Sequence, residues 1–440
     1  MIKPKAILIG LAIVVFLFSL GAISDYFYFN RSQFKSQVAL QEEGKDVYLG
    51  FLSEVYNTIK QNYWDNLSDA QLSSLFKTGA ENLVAGVYNL KSSDLEGLKK
   101  IYSEIFTRFN DAQKKEFSVK LTNLVLTSLA PQSRSGLYTQ KSEQSLQNTV
   151  QNVNPEANLY QNLGMSKDVS DSELKNGYTQ KAAEIKAKKE EPDQKQAELE
   201  KLDYAYGVLS DKDSREQYDQ TGAEPTVFYK LLKPEIFYIY IKIFSPATFN
   251  EFQRAANSLG DIESVNALIL DLRGNIGGSI DILPYFLGPF IGQDQLAYEF
   301  LHQGERIAFK TKTGWLDSLV RYKQVVILVD SQTQSTAELM AAVLKKYNVG
   351  IVVGEKTRGW GTVEKVFEIK QQIDPNEKYS LFLTHSLTLR DDNQPIEGNG
   401  VEPIINFSSE NWENEVYEYF RHPQLNQALS DLWQSGPISF

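Results

Sequence analysis

From about residue 46 to 130 the apolar positions recur at helical spacing: Val47, Phe51, Val55 and Ile59, then Leu72, Leu75, Phe76, Ala80 and Leu83. This predicts a helical domain over 45–130. A stretch from 131 to 156, rich in Gln, Ser and Asn and containing Pro131 and Pro155, breaks the periodicity and reads as a linker. Residues 157–222 predict a second helical unit, with a polar loop SKDVSDSE, a Lys-rich helix and the breaker EEPD. After Pro225 the rule changes. EIFYIYIKIF (235–244) alternates like a strand, whereas ALILDL (267–272), VVILVD (325–330) and GIVVGE (350–355) are continuous apolar runs closed by polar residues or glycine. Such runs suit strands covered on both faces. Helical segments at 247–259 and 335–347 lie between them, and KVFEIK and YSLFLTHSLTL add two strands, so 224–432 predicts an α/β layered domain.

The N-terminus obeys a third pattern. Lys3 and Lys5 precede a nearly unbroken apolar run from Ala6 to Ile23, followed by Tyr26, Phe27 and Tyr28. A run of that length, with basic residues before it and aromatics after it, predicts a membrane anchor within 1–30, with the bulk of the chain outside the cytoplasm. A cleaved signal peptide is the rival, because Ala22 and Ser24 give a weak small-x-small site.

Composition narrows the partners. The 440 residues are 42% hydrophobic, enough for a sizeable core, and the net charge of −11 without a basic stripe argues against nucleic acid. The chain has no cysteine, which excludes thiolate chemistry, disulfides and Cys-ligated metals. His302, His385 and His422 are the only histidines and share no metal-ligand spacing, so neither a metal nor another cofactor is implied.

Three strand ends carry candidate chemistry. DLRGNIGGS (271–279) frees backbone N–H groups at the start of a helix; a phosphate cradle is the alternative, but the stretch lacks the Lys-Ser/Thr of a P-loop and does not match GxGxxG. In VDSQTQSTAELMAAVL (329–344), Ser335 opens a helix after a buried strand, and with Glu338 it is also a formal capping box. GEKTRGWGTVE (354–364) places Trp360 between two glycines, an unusual site for so large a side chain.

Taken in order, LILDLRGNIGG, ILVDSQTQSTAEL, VGEKTRGWGTVE and GNGVEP resemble the carboxyl-terminal processing peptidases, or tail-specific proteases. The resemblance covers about 226–432 and extends to EVYNTIKQNYWD and AENLVAG in the N-terminal helices. It implies a crotonase-like layered core and a serine peptidase acting on polypeptides. Carried over, it makes Ser335 the nucleophile position and puts Gly277, Gly278 and Thr336 at the oxyanion site. The family's general-base lysine position holds Trp360, and its glutamine four residues later is Glu364. An indole N–H only donates, so it cannot take the serine proton. Lys356 and Lys365 lie too far along an extended chain to substitute; His385 and Glu364 remain as alternative bases.

Residues 157–222 resemble a J-domain in LYQNLGMSKDVSDSELKNGY and AYGVLSDKDSREQYDQTG, where this family commonly carries a peptide-binding PDZ module. The defining His-Pro-Asp is absent: Lys186, Ala187 and Lys188 stand at its counted place, and the later Pro192 and Asp193 follow Glu191. The resemblance implies a helical interaction module with a protein partner, or a spacer. Together these readings predict a membrane-anchored, peptidase-family protein that binds or acts on polypeptides with impaired catalysis. The alternatives are an active serine endopeptidase with another base, and a non-enzymatic scaffold.

Overall fold

The computed structural model describes residues 46–188, 191–233, 235–260, 264–390 and 392–439. Among these, no helix is long and apolar enough to cross a membrane, and the anchor expected within 1–30 lies outside the described residues.

The helical spacing near the N-terminus folds as four helices, α1 (Val47–Asn62), α2 (Asp69–Val84), α3 (Leu95–Phe106) and α4 (Asp111–Ser128). Capping boxes Ser68/Gln71 and Asn110/Gln113 start α2 and α4. Phe51, Val55, Ile59, Leu72, Phe76 and Ala80 are fully buried, and their cluster is completed by Ile369, Ile373, Leu381 and Leu383 from the layered domain. The helices are therefore packed onto a sheet rather than standing alone.

The expected linker over 131–156 is corrected by the structure. It contains β1 (Gly136–Thr139) and α5 (Gln140–Val150). None of the α5 residues is buried, so the helix has no apolar face to betray it, and its start depends on Thr139 accepting the Ser142 N–H. β1 is held by pairing, with Tyr138 stacked on Phe382 at 4.6 Å.

The inserted unit comprises α6 (Leu159–Leu163), α7 (Asp171–Ala187), α8 (Pro192–Ser210) and α9 (Lys212–Thr221) around Leu163, Leu174, Leu202, Ala205 and Val208. The DSREQYD stretch locks it. Arg215 reaches Tyr160 Oη at 3.0 Å, Asp171 at 3.0 Å and the Val169 carbonyl at 2.5 Å, while Tyr160 donates to Asp219 at 2.9 Å. The chain enters and leaves at one point: the Glu224 N–H donates to the Asn152 carbonyl at 3.0 Å, and Asn152 Nδ2 returns a bond to the Glu224 carbonyl at 2.8 Å.

The core that follows runs β2 (Val227–Lys233), β3 (Ile236–Ile241), α10 (Thr248–Asn257), β4 (Ala267–Asp271), α11 (Leu283–Ile291), β5 (Leu296–His302), β6 (Glu305–Lys310), α12 (Asp317–Val320), β7 (Gln324–Val329), α13 (Thr336–Lys346), β8 (Ile351–Gly354), β9 (Thr362–Glu368), β10 (Tyr379–Leu389), β11 (Ile405–Asn406), α14 (Trp412–Phe420) and α15 (Pro423–Ser435). One sheet is ordered β11-β8-β7-β4-β3-β2, parallel except for the β2–β3 pair. Its strands β4, β7 and β8 are buried throughout or nearly so, as continuous apolar runs require. One face packs on α10, α11 and α13, the other on α14 and α15. The second sheet is antiparallel, with β9 on one edge of β10 and β1 and β5 sharing the other.

Behind the DLRG turn, Arg273 is 3% exposed and pairs with Asp271 at 2.7 Å while donating to the Leu432 carbonyl at 2.7 Å. Removing one partner strands a buried charge. Arg273→Ala is expected to lower unfolding free energy by about 3–5 kcal/mol in urea titration.

Candidate functional site

Three loops converge at the carboxyl ends of β4, β7 and β8. The Gln334 N–H donates to the Asn275 carbonyl at 2.9 Å and the Arg358 N–H to the Thr333 carbonyl at 3.0 Å, tying all three together. Ser335 sits between them with φ 58° and ψ −125°, a region that L-residues rarely adopt. An ordinary capping serine has extended backbone. Ser335 instead makes a sharp turn between β7 and α13, and such strain is held only where the surroundings over-determine it.

The restraint is Glu338. This fully buried carboxylate accepts the Ser335 N–H at 2.8 Å and the Trp360 N–H at 2.8 Å on one oxygen. Its other oxygen accepts the Thr357 hydroxyl at 2.5 Å and the Gly359 N–H at 2.7 Å. The backbones of Ser335 and Trp360 are thereby side by side. Burial pushes the Glu338 carboxyl above the usual range, and these four donors pull it back only in part. The capping box seen in the sequence is thus the smaller half of what Glu338 does.

The glycine turn presses on the same serine. A Cβ on Gly277, where φ is 91°, would fall 2.6 Å from Ser335 Cβ, and one on Gly278, where φ is 125°, would fall 2.2 Å from the Phe244 carbonyl oxygen. No larger residue fits either place. The Gly277 N–H, expected at the oxyanion site, donates to the side-chain oxygen of Asn275 in the same turn at 2.8 Å. Among the described residues no acceptor takes the N–H of Gly278 or of Thr336, while the Thr336 hydroxyl donates to the Gly278 carbonyl at 3.0 Å. Those two amides are unpaired among the described residues, at the place where the family resemblance puts an oxyanion site.

No lysine, histidine or acidic side chain hydrogen-bonds to the Ser335 hydroxyl among the described residues. Trp360 is half-buried beneath Arg134, whose guanidinium carbon is 3.4 Å from the ring centroid. Arg134 is fixed in turn by Glu397 at 3.0 Å, and Glu397 accepts the Gly361 N–H at 2.8 Å. The other candidate bases are occupied elsewhere. Glu364 takes the Thr362 hydroxyl at 2.5 Å and a bond from the Trp360 side chain, and burial raises its pKa. Lys356 is at the surface, paired with Glu402 at 2.6 Å. His385 lies 3.3 Å from Lys365 Nζ, contacts Ser386 Oγ at 2.8 Å and stacks on His302 at 4.2 Å. Burial depresses the Lys365 amine, and burial with Lys365 and His302 holds the His385 pKa down at about 3. Arg134, Glu397 and Asn275 escaped the sequence reading; Arg134 falls in the supposed linker and the others in turns with no periodicity to mark them.

Residues 235–407 match peptidase family S41, and residues 158–219 match the DnaJ domain. The longer match resembles peptidase family S41 over less than half of the chain, and the shorter one lies within the inserted helical unit. This chain is 28% identical over 170 residues to the carboxy-terminal processing protease CtpB of Bacillus subtilis (strain 168), covering 38% of this chain and 33% of that protein. It is 30% identical over 140 residues to carboxyl-terminal-processing peptidase 2, chloroplastic, of Arabidopsis thaliana, covering 31% of this chain and 26% of that one. The chain thus spans about a third or less of the length of these two relatives. The solved photosystem II D1 C-terminal processing protease superposes with a TM-score of 0.50 at 15% identity, covering 82% of this chain and 94% of its own, which shows a shared mixed α/β fold with a helical N-terminal region.

In the S41 domain, Glu338→Gln keeps one acceptor oxygen and turns an NH2 towards two buried N–H groups. It is expected to cost at least about 2 kcal/mol in urea unfolding. The His385 ring adds a pH dependence. The unfolded ring protonates near its ordinary 6.5 and the folded one only near about 3, so the unfolded state binds the extra proton between those values. Stability therefore falls through that window as pH drops, and His385→Gln should lose less of its urea midpoint over the same range.

Proposed function

We propose that this protein is a membrane-anchored relative of the carboxyl-terminal processing peptidases that holds polypeptide segments at the Ser335 cleft and has lost ordinary Ser-Lys hydrolysis. The observation that carries the reading is the Trp360 turn. Glu338 sets the Trp360 backbone directly beside Ser335, where a base would act, yet the indole is turned under Arg134 and bonded to Glu364. Such a ring fills space and donates one hydrogen bond, but takes no proton.

The rest of the machinery supports retained binding. Gly278 and Thr336 still present free amides, and the turn geometry still exposes a half-buried serine. Anchoring through 1–30, with these domains outside the cytoplasm, rests on the apolar run and its lysine flank alone. The DnaJ domain acts in this reading as a protein-interaction module. Glu191, Pro192 and Asp193 open α8, and Lys186, Ala187 and Lys188 close α7, so neither alignment supplies a histidine.

The test is proteolysis of reduced, carboxymethylated lactalbumin by the parent protein, Ser335→Ala, Trp360→Lys and the double variant. A lysine at 360 would lie beside the Arg134 guanidinium, which would lower its pKa towards that of a working base. The parent should be silent, and Trp360→Lys should cleave at least about 100-fold faster, with the gain abolished by Ser335→Ala. Cleavage by the parent that Ser335→Ala abolishes would establish an active serine peptidase with another base. Silence in every variant would remove the peptidase part of the reading and favour a scaffold.

A further inference from the structure

We propose that the free edge of β2 is a second docking site for an extended polypeptide, which joins the parallel-centred sheet as an added strand under a wall formed by the DnaJ domain. The proposal rests on the polypeptide-binding reading above but concerns a different surface from the Ser335 cleft.

β2 ends the sheet and pairs only with β3 among the described residues. The pairing phase can be read from its neighbours. The Lys242 N–H donates to the Thr226 carbonyl at 2.8 Å, and on the other side of β3 the Ala267 N–H donates to the Glu235 carbonyl at 3.1 Å. Alternation from these two points makes Phe228 and Lys230 spend their backbone groups on Tyr240 and Tyr238, and turns those of Tyr229 and Leu231 outward. Two successive outward residues form a short ladder waiting for a partner. Their side chains are also bare, Tyr229 at 48% and Leu231 at 40% exposure.

An open edge with apolar side chains is a hazard unless something limits its use. Here two features select the occupant. Lys230 and Lys233 are exposed on the strand, so two copies brought edge to edge would oppose like charges, which disfavours self-pairing. The edge also opens into a cavity of about 450 Å³ between β2 and the start of α9, walled by Asp211, Asp213 and Ser214 on one side and Val227 to Lys230 on the other. That wall is fixed in place: Arg254 pairs with Asp213 at 3.3 Å, Gln217 donates to Glu251 at 2.9 Å, and Glu251 accepts the Thr226 and Val227 N–H groups at 2.6 and 3.0 Å. The groove fits a single extended chain, whose backbone supplies the ladder and whose alternate apolar side chains meet Tyr229 and Leu231. The DnaJ domain is then a wall of a client site as well as a module.

The test is hydrogen exchange of the full chain, read by mass spectrometry, with and without reduced, carboxymethylated lactalbumin. Exchange at 228–232 should slow about tenfold on adding it. Tyr229→Pro removes an outward N–H without touching the ladder to β3, and Leu231→Lys charges the same edge should the proline variant fold poorly. Each should abolish that slowing and weaken binding at least about fivefold. Slowing at 228–232 that persists in both folded variants overturns the proposal. Slowing confined to 274–279 and 357–361 overturns it too, while leaving the Ser335 cleft reading intact. Slowing at 228–232 alone supports the edge and counts against the cleft, and no slowing anywhere overturns both.

Discussion

A single buried carboxylate organises the site. Glu338 has no exposed surface and, among the described residues, no cation paired with it; it accepts four hydrogen bonds, three of them from backbone amides that would otherwise be orphaned. Because those donors come from the start of α13 and from the turn after β8, the carboxylate makes the two loops one rigid body. The strained backbone of Ser335 is tolerable for the same reason: the conformation is set by bonds on both sides of it. Whatever residue stands at 360 is delivered to the serine whether or not it can do chemistry there.

That rigidity makes the framework of the site independent of the side chain at 360. The glycine turn is dictated by close approach to Ser335 and Phe244, the Arg273–Asp271 pair by burial, and the Glu338 clip by unsatisfied amides. None of these needs a lysine at 360. The indole brings its own compensation, since Arg134, Glu364 and Glu397 form a charged cage around it, with Arg134 drawn from a segment far away in sequence. A cation over an aromatic face is worth more as water is excluded. The cage therefore stabilises the indole where it stands.

The DnaJ domain is attached by the same economy of contacts. Asn152 and Glu224 close the neck, and Glu251 binds the first amides of β2 while reaching Gln217 on α9. The insertion and the sheet edge are thus coupled through one glutamate. An element that was free to swing could not hold a defined groove beside β2.

How much of this was written in the chain follows from the range of the forces involved. Helical spacing in Phe51, Val55 and Ile59, the continuous apolar runs of β4, β7 and β8, and the order of the glycine, serine and tryptophan loops are local patterns, and they determined the layered fold, the inserted helical unit and the position of Ser335. The α5 helix was invisible because it buries nothing, and β1 because its stability comes from pairing with a strand more than two hundred residues away. The tertiary structure alone decided that Gln334 gives its N–H to the Asn275 carbonyl, that Glu338 serves four donors, and that Arg134 covers Trp360. Hydrogen bonds and stacking between distant segments leave no periodic trace in sequence; they exist only once hydrophobic burial has brought the segments together.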